Sequence, residues 1–151
     1  MTEITITSLM MQHHSVVLGL LNKLKEAVDN GQGDIRDIFM KFESQAKEHF
    51  SIEESVIFNF SDKMDAKSTE IILGLMREHQ TMLSLMELIT KGLPENDFLS
   101  IYDLEKIMLE HAEVEEKILY PGLDGNLEEE KKVAMIKRIQ ETSGELLISN
   151  S

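Results

Sequence analysis

Two stretches of this chain, His49-Phe50-Ser51-Ile52-Glu53-Glu54 and His111-Ala112-Glu113-Val114-Glu115-Glu116, repeat one pattern: a histidine, a glutamate four positions later, and a second glutamate directly after it. On an α-helix, at roughly 100° per residue, positions i and i+4 lie one above the other on a single face. Each pair can then address one small volume. The likeness continues past the pairs, into the mixed apolar runs Val56-Ile57-Phe58 and Ile118-Leu119-Tyr120. A fold that uses both stretches has to set two helices side by side with these faces turned inward.

The rest of the chain has the periodicity for such a fold. From near Ser8 a helical stripe runs through Met10, His14, Val17, Leu18, Leu21, Leu24 and Val28, and Asn30-Gly31 provides a left-handed stop. Asp34 is placed to cap a second helix with the inner face Ile35, Ile38, Phe42, His49, Glu53, Val56 and Phe60. A polar turn around Ser61-Asp62-Lys63 leads into a third helix, from Ala66 to Lys91, which Gly92 and Pro94 end. Its stripe is Leu75, Met76, His79, Met82, Leu83, Met86 and Ile89. Asn96 or Asp97 can cap a fourth helix carrying Ile101, Leu104, Ile107, Met108, His111, Glu115 and Ile118, which Pro121-Gly122 bends or ends. Asn126 and Glu129 have capping-box spacing ahead of a short fifth helix marked by Val133, Ile136 and Ile139.

Four long helices joined by short polar connections predict an all-α fold: an antiparallel up-down-up-down four-helix bundle over about residues 8–121. A C-terminal helical extension, about 126–148, belongs to the same single domain, 1–151, and either covers the bundle or forms a dimer contact. The chain also reads as two hairpins in tandem. Nearly equal intervals separate His14 from His79 and His49 from His111, and aligning the first pair superposes Val17 on Met82, Leu18 on Leu83, Leu21 on Met86 and Leu24 on Ile89. Starting from His13 would set Lys23 against Ile89, so His14 is the inward histidine and His13 is exposed or packed behind the site. Glu54, Glu113 and Glu116 fall off the face of the paired residues and read as solvated.

Composition narrows the chemistry. Cysteine is absent, which removes disulfides, thiolate-held clusters and thiol nucleophiles. The formal charge of −13 argues against nucleic acid or an anionic membrane as partner. No apolar run approaches the ~18 residues of a membrane span, and the N-terminus lacks a basic, cleavable leader, so a cytoplasmic monomer or homodimer is expected.

His14, His49, Glu53, His79, His111 and Glu115 thus converge mid-bundle as four imidazoles and two carboxylates. A lone histidine on an inner stripe is ordinarily a hydrogen-bonded core residue, but burying this whole set without partners would be costly. A cation relieves that cost. Mixed imidazole and carboxylate donors suit iron, with manganese and zinc as alternatives, and do not suit calcium. The six could saturate one octahedral ion; two ions about 3.5–4 Å apart, bridged by Glu53, Glu115 and a solvent oxygen, leave each an open position. Met76 and Met108 each stand three positions before a histidine and read as core filling. Ile52, Val56, Val114 and Ile118 are expected to wall the site, and Tyr120, half a turn from His111, falls outside it.

On His14, His49, Glu53, His79, His111 and Glu115, in that order, the sequence resembles the hemerythrin family, and within it the hemerythrin-like HHE cation-binding domains, over about residues 8–121. The Glu-x-x-His spacing of ferritin-like di-iron bundles is not present. The resemblance implies a non-haem di-iron protein that binds or reacts with oxygen, nitric oxide or peroxide. Two departures separate it from oxygen carriers: Leu75 and Leu83 flank His79 where a carrier has a further histidine, and a glutamate follows His111 at four residues in place of an aspartate at five. The symmetrical set is more similar to di-iron proteins linked to iron–sulfur cluster repair, although the cysteine-bearing N-terminal segment of those proteins is missing. A zinc-stabilised or metal-free interaction bundle is the reading from a different class.

Overall fold

The computed structural model describes residues 4–59 and 65–149, so Phe60 and the expected turn Ser61-Asp62-Lys63 lie outside the described residues. The helices are α1 (Ile6–Asn30), α2 (Ile35–Ile52), α3 (Ala66–Gly92), α4 (Ser100–Val114), α5 (Tyr120–Asn126) and α6 (Glu129–Ser149), with no strand among the described residues. α1 packs on α2 and α3 on α4, giving the two hairpins of the up-down-up-down bundle, and α6 lies against α1 and α2.

Local chemistry sets the helix ends. Thr5 and Ser8 form a reciprocal capping box, so α1 starts earlier than its apolar stripe indicates. The Asp124 carboxylate of α5 accepts from the backbone N–H groups of Ile6 (2.9 Å) and Thr7 (3.0 Å), placing negative charge at the positive end of the α1 dipole. Gly31 ends α1 in the left-handed conformation, φ 63°, and Asp34 caps α2 through the Asp37 N–H. At the end of α3, a Cβ on Gly92 would stand 2.3 Å from the Asp97 carbonyl oxygen, so only glycine lets the chain fold back there. Neither Asn96 nor Asp97 takes the expected position at the start of α4: Asn96 is left-handed, φ 55°, and Leu99 precedes the helix without a side-chain cap.

α2 and α4 each run directly into a π-helical turn, Glu53–Ile57 and Glu115–Leu119, whose first residue is the glutamate of the repeated pair. A π-turn takes in one extra residue and rotates everything beyond it backward on the helix. Pro121 therefore does not end the fourth helix. It falls in the first turn of α5, where a missing N–H costs little. The same rotation exposes Ile118, expected inside, and buries Leu119 and Tyr120. Asn126 closes α5, leaving α6 to start at Glu129 without the anticipated capping box.

Two apolar clusters fill the bundle. One, at the α5–α6 end, joins Ile6, Met10, Ile52, Val56, Ile72, Leu75, Leu123, Met135 and Ile139. The other joins Val17, Leu21, Phe39, Phe42, Phe50, Met82, Met86, Leu104 and Met108. The register of each stripe dictates what lies between: His14 sits between Met10 and Val17, and His79 between Leu75 and Met82. Met76, expected on that stripe, is exposed, while Met108 is buried as core filling. α6 contributes Met135 and Ile139 to the core and so covers the bundle.

Candidate metal centre

The layer between the two clusters is polar. His14, His49, Glu53, His79, His111 and Glu115 are all buried there, Glu53, His79 and Glu115 with 0% exposure. Each of the six arrives from the element and face that periodicity assigned to it. Among the described residues two overlapping groups have donor atoms close enough to share an ion: His14, His49, Glu53 and Glu115, and then Glu53, His79 and His111.

All four Nε2 atoms turn toward the centre. Glu53 Oε1 lies 3.0 Å from His49 Nε2 and 3.3 Å from His79 Nε2, so it reaches both groups. Glu115 Oε1 lies 3.2 Å from His14 Nε2 and 3.3 Å from His111 Nε2, and does the same from the other side. His79 Nε2 and His111 Nε2 are 3.2 Å apart. The contacts of Glu115 and of His14 and His49 Nε2 are close without being aligned as hydrogen bonds, which leaves these buried atoms unsatisfied among the described residues. Buried lone pairs converging without donors fit a cation, which satisfies them all at once.

Behind the imidazoles stand three carboxylates: Glu54 and Glu116, which their helical angles assign to solvent, and Glu78, which the sequence pattern did not single out. His79 Nδ1–H donates to Glu54 Oε1 at 3.0 Å, and His111 Nδ1–H donates to Glu78 Oε1 at 3.0 Å. Glu116 Oε1 stands 3.5 Å from His14 Nδ1. For His79 and His111, with the Nδ1 proton committed outward, the Nε2 lone pair is left facing the centre, the tautomer a metal requires. Glu113 is solvated as expected, paired with Lys117 at 2.6 Å.

Electrostatics follow from this packing. Burial by itself would raise the Glu53 carboxyl, but the charge of His49 and the hydrogen bonds of the surrounding imidazoles outweigh it and hold Glu53 well below the usual carboxylate range. His79 is shifted the opposite way: burial disfavours its charge, and Glu53 and Glu54 together overcome that and raise it. His13 is half-buried, with its ring 6.0 Å from that of His49, and burial together with His49 and His14 lowers its pKa to about 4.

Tyr120 belongs to the site although angular reckoning from His111 placed it outside. Its hydroxyl, fully buried, donates to Glu53 Oε2 at 2.7 Å, and its ring lies 5.8 Å from that of His14. The extra residue of the π-turn brings it round. Burial and the Glu53 charge push its phenol well above the ordinary value, so it remains a donor. Phe58 holds the equivalent place in the other hairpin, 5.4 Å from the His79 ring, and offers no hydroxyl.

A cavity of about 20 Å³, walled by Val17, Leu18, Phe50 and Met108, reaches His14, His49 and His111. That is room for about one water-sized molecule. A second, of about 230 Å³, opens between α1, α2 and α6 and is lined by His13, Glu48, His49, Ile52 and Ser143. Ile52 and Val56, expected to wall the site, are buried in the apolar cluster at the α5–α6 end, Val114 is half-buried, and Ile118 is exposed.

No helix of the described residues is long and apolar enough to cross a membrane. Comparison with curated proteins and with solved structures found no match. The family model of the hemerythrin HHE cation binding domain matches residues 5–123, which span all six of the converging side chains and Tyr120. The chain is therefore a cation-binding member of the hemerythrin HHE family.

Proposed function

We propose that this protein holds two iron ions on His14, His49, Glu53, His79, His111 and Glu115, and binds or reacts with oxygen, nitric oxide or peroxide there. The observation that supports this most is the pair of carboxylate oxygens, Glu53 Oε1 and Glu115 Oε1, each within 3.3 Å of an imidazole from both hairpins, as a bridging ligand would be. His14 with His49 then serves one ion and His79 with His111 the other. Bound iron supplies the capacity to exchange electrons with a small oxygen- or nitrogen-containing ligand; manganese or zinc would fit the same donors without the same redox reach.

The chain's own residues prepare the site for that ligand. The small cavity beside His14, His49 and His111 has apolar walls, so it admits a diatomic molecule more readily than an ion. Tyr120 fixes one oxygen of Glu53 and remains a buried proton donor beside the centre. The single-domain organisation, a cytoplasmic setting and a monomeric or homodimeric state belong to the same proposal.

Anaerobic reconstitution with Fe(II), followed by metal analysis and exposure to oxygen, tests it. Two irons per chain and the near-ultraviolet and visible absorption of a coupled ferric pair are expected. Zinc in the purified protein together with failure to take up iron would replace this reading with a structural metal site.

A further inference from the structure

The two halves of the centre are alike in donors but not in what stands behind them. Glu54, on one hairpin, supports His79 of the other; its counterpart Glu116 stands behind His14. Glu78, directly before His79, supports His111 within its own hairpin. The residue in that place on the first hairpin, directly before His14, is His13, and its ring lies beside His49. His49 Nδ1 is buried with no hydrogen-bond partner among the described residues, and so is His14 Nδ1, since Glu116 at 3.5 Å is not aligned as a hydrogen bond. His13 is instead engaged by Ser143 of α6, whose Oγ is 3.3 Å from His13 Nε2. Among the described residues nothing in the second hairpin corresponds to that contact with α6.

Enclosure follows the same division. His79 is covered by Phe50, stacked at 4.2 Å, and by Phe58, and it lines neither cavity at the centre. His49 lines both.

We infer that the two metal positions are inequivalent: the position on His79 and His111 fills first and holds its ion firmly, whereas the position on His14 and His49 fills second and exchanges. His13 acts as a positioning residue, because it puts an imidazole where the other hairpin has a carboxylate and leaves His49 without an anchor on Nδ1. Carboxylate partners on a metal-bound imidazole fix its ring and raise its basicity, and losing one costs about 10–100-fold in metal affinity. This inference rests on the two-metal reading above.

Anaerobic titration with Co(II), followed by visible absorption and calorimetry, resolves the steps. Two binding steps separated by about 10-fold or more are expected. Glu78→Gln should weaken the first step by about 10-fold and leave the second in place. His13→Glu, which supplies the missing carboxylate, should tighten the second step by a similar factor, and the milder Ser143→Ala, which frees His13 from α6, should shift the second step alone. Two indistinguishable steps would overturn the inequivalence, and a second step unmoved by both His13→Glu and Ser143→Ala would overturn the role given to His13, either result leaving the two-metal reading intact. Binding of one ion or none would overturn that reading itself.

Discussion

Replacing Tyr120 with phenylalanine removes one oxygen atom from the core and isolates the contribution of one hydrogen bond. The bond is short, 2.7 Å, its acceptor is the buried Glu53 carboxylate, and both residues have 0% exposure. Hydrogen bonds to charged groups contribute about 1.5–3 kcal/mol, and a carboxylate oxygen left unpaired in the interior keeps its full desolvation cost. The metal-free variant should therefore be about 2–3 kcal/mol less stable in urea unfolding. For a chain of this size that corresponds to a melting temperature lower by about 4–12 °C. Metal-loaded protein should lose less, since ions at Glu53 take over part of the role of the hydroxyl. A metal-free Tyr120→Phe protein within about 0.5 kcal/mol of the parent would refute the reasoning, by showing that Glu53 finds another donor.

Glu53→Ala or Glu115→Ala should abolish the paired centre and not merely one ion, because each carboxylate reaches both groups of imidazoles; unchanged two-metal occupancy by elemental analysis would refute bridging. Ile139→Ala, at a fully buried position of α6, should cost about 2–5 kcal/mol in urea unfolding, whereas Val133→Ala on the exposed side should stay within about 0.5 kcal/mol. Metal affinity should rise with pH. His79 is shifted upward, so below its raised pKa a proton has to leave before a metal enters; calorimetry in buffers of different ionisation heat should count protons released, more at pH 6 than at pH 8.

Much of the site was legible because helical periodicity and the duplicated pattern point to the same residues. His14 was separable from His13 by the alignment of Leu24 with Ile89, and the fold places His14 in the buried layer with His13 behind it. What periodicity could not carry was the register after each glutamate. A uniform turn of 3.6 residues puts Ile118 inside and Tyr120 outside, and the π-turn at Glu115–Leu119 reverses both. Glu54, Glu78 and Glu116 were hidden for a different reason, since each reaches an imidazole on a neighbouring helix, and single-helix angles say nothing about contacts across a bundle. For Glu54 and Glu116 the doubled glutamate in both motifs was the available signal, read with the rule that a metal-bound imidazole needs a partner on its other nitrogen. Thr5 and Ser8 carried a start signal for α1 that the apolar stripe alone did not.

The paired π-turns divide responsibility within a single helix. His49 and His111, one turn before Glu53 and Glu115, answer to the polar layer, and Val56, Phe58, Leu119 and Tyr120 after them join the apolar end of the bundle that α6 covers. The extra residue works as a phase adjuster between the two, so the downstream segment can repack against a different cover without rotating the imidazoles. A chain built this way can exchange its C-terminal helix for another, or alter how tightly the bundle closes over Tyr120, and keep the same four histidines pointing at the same spot.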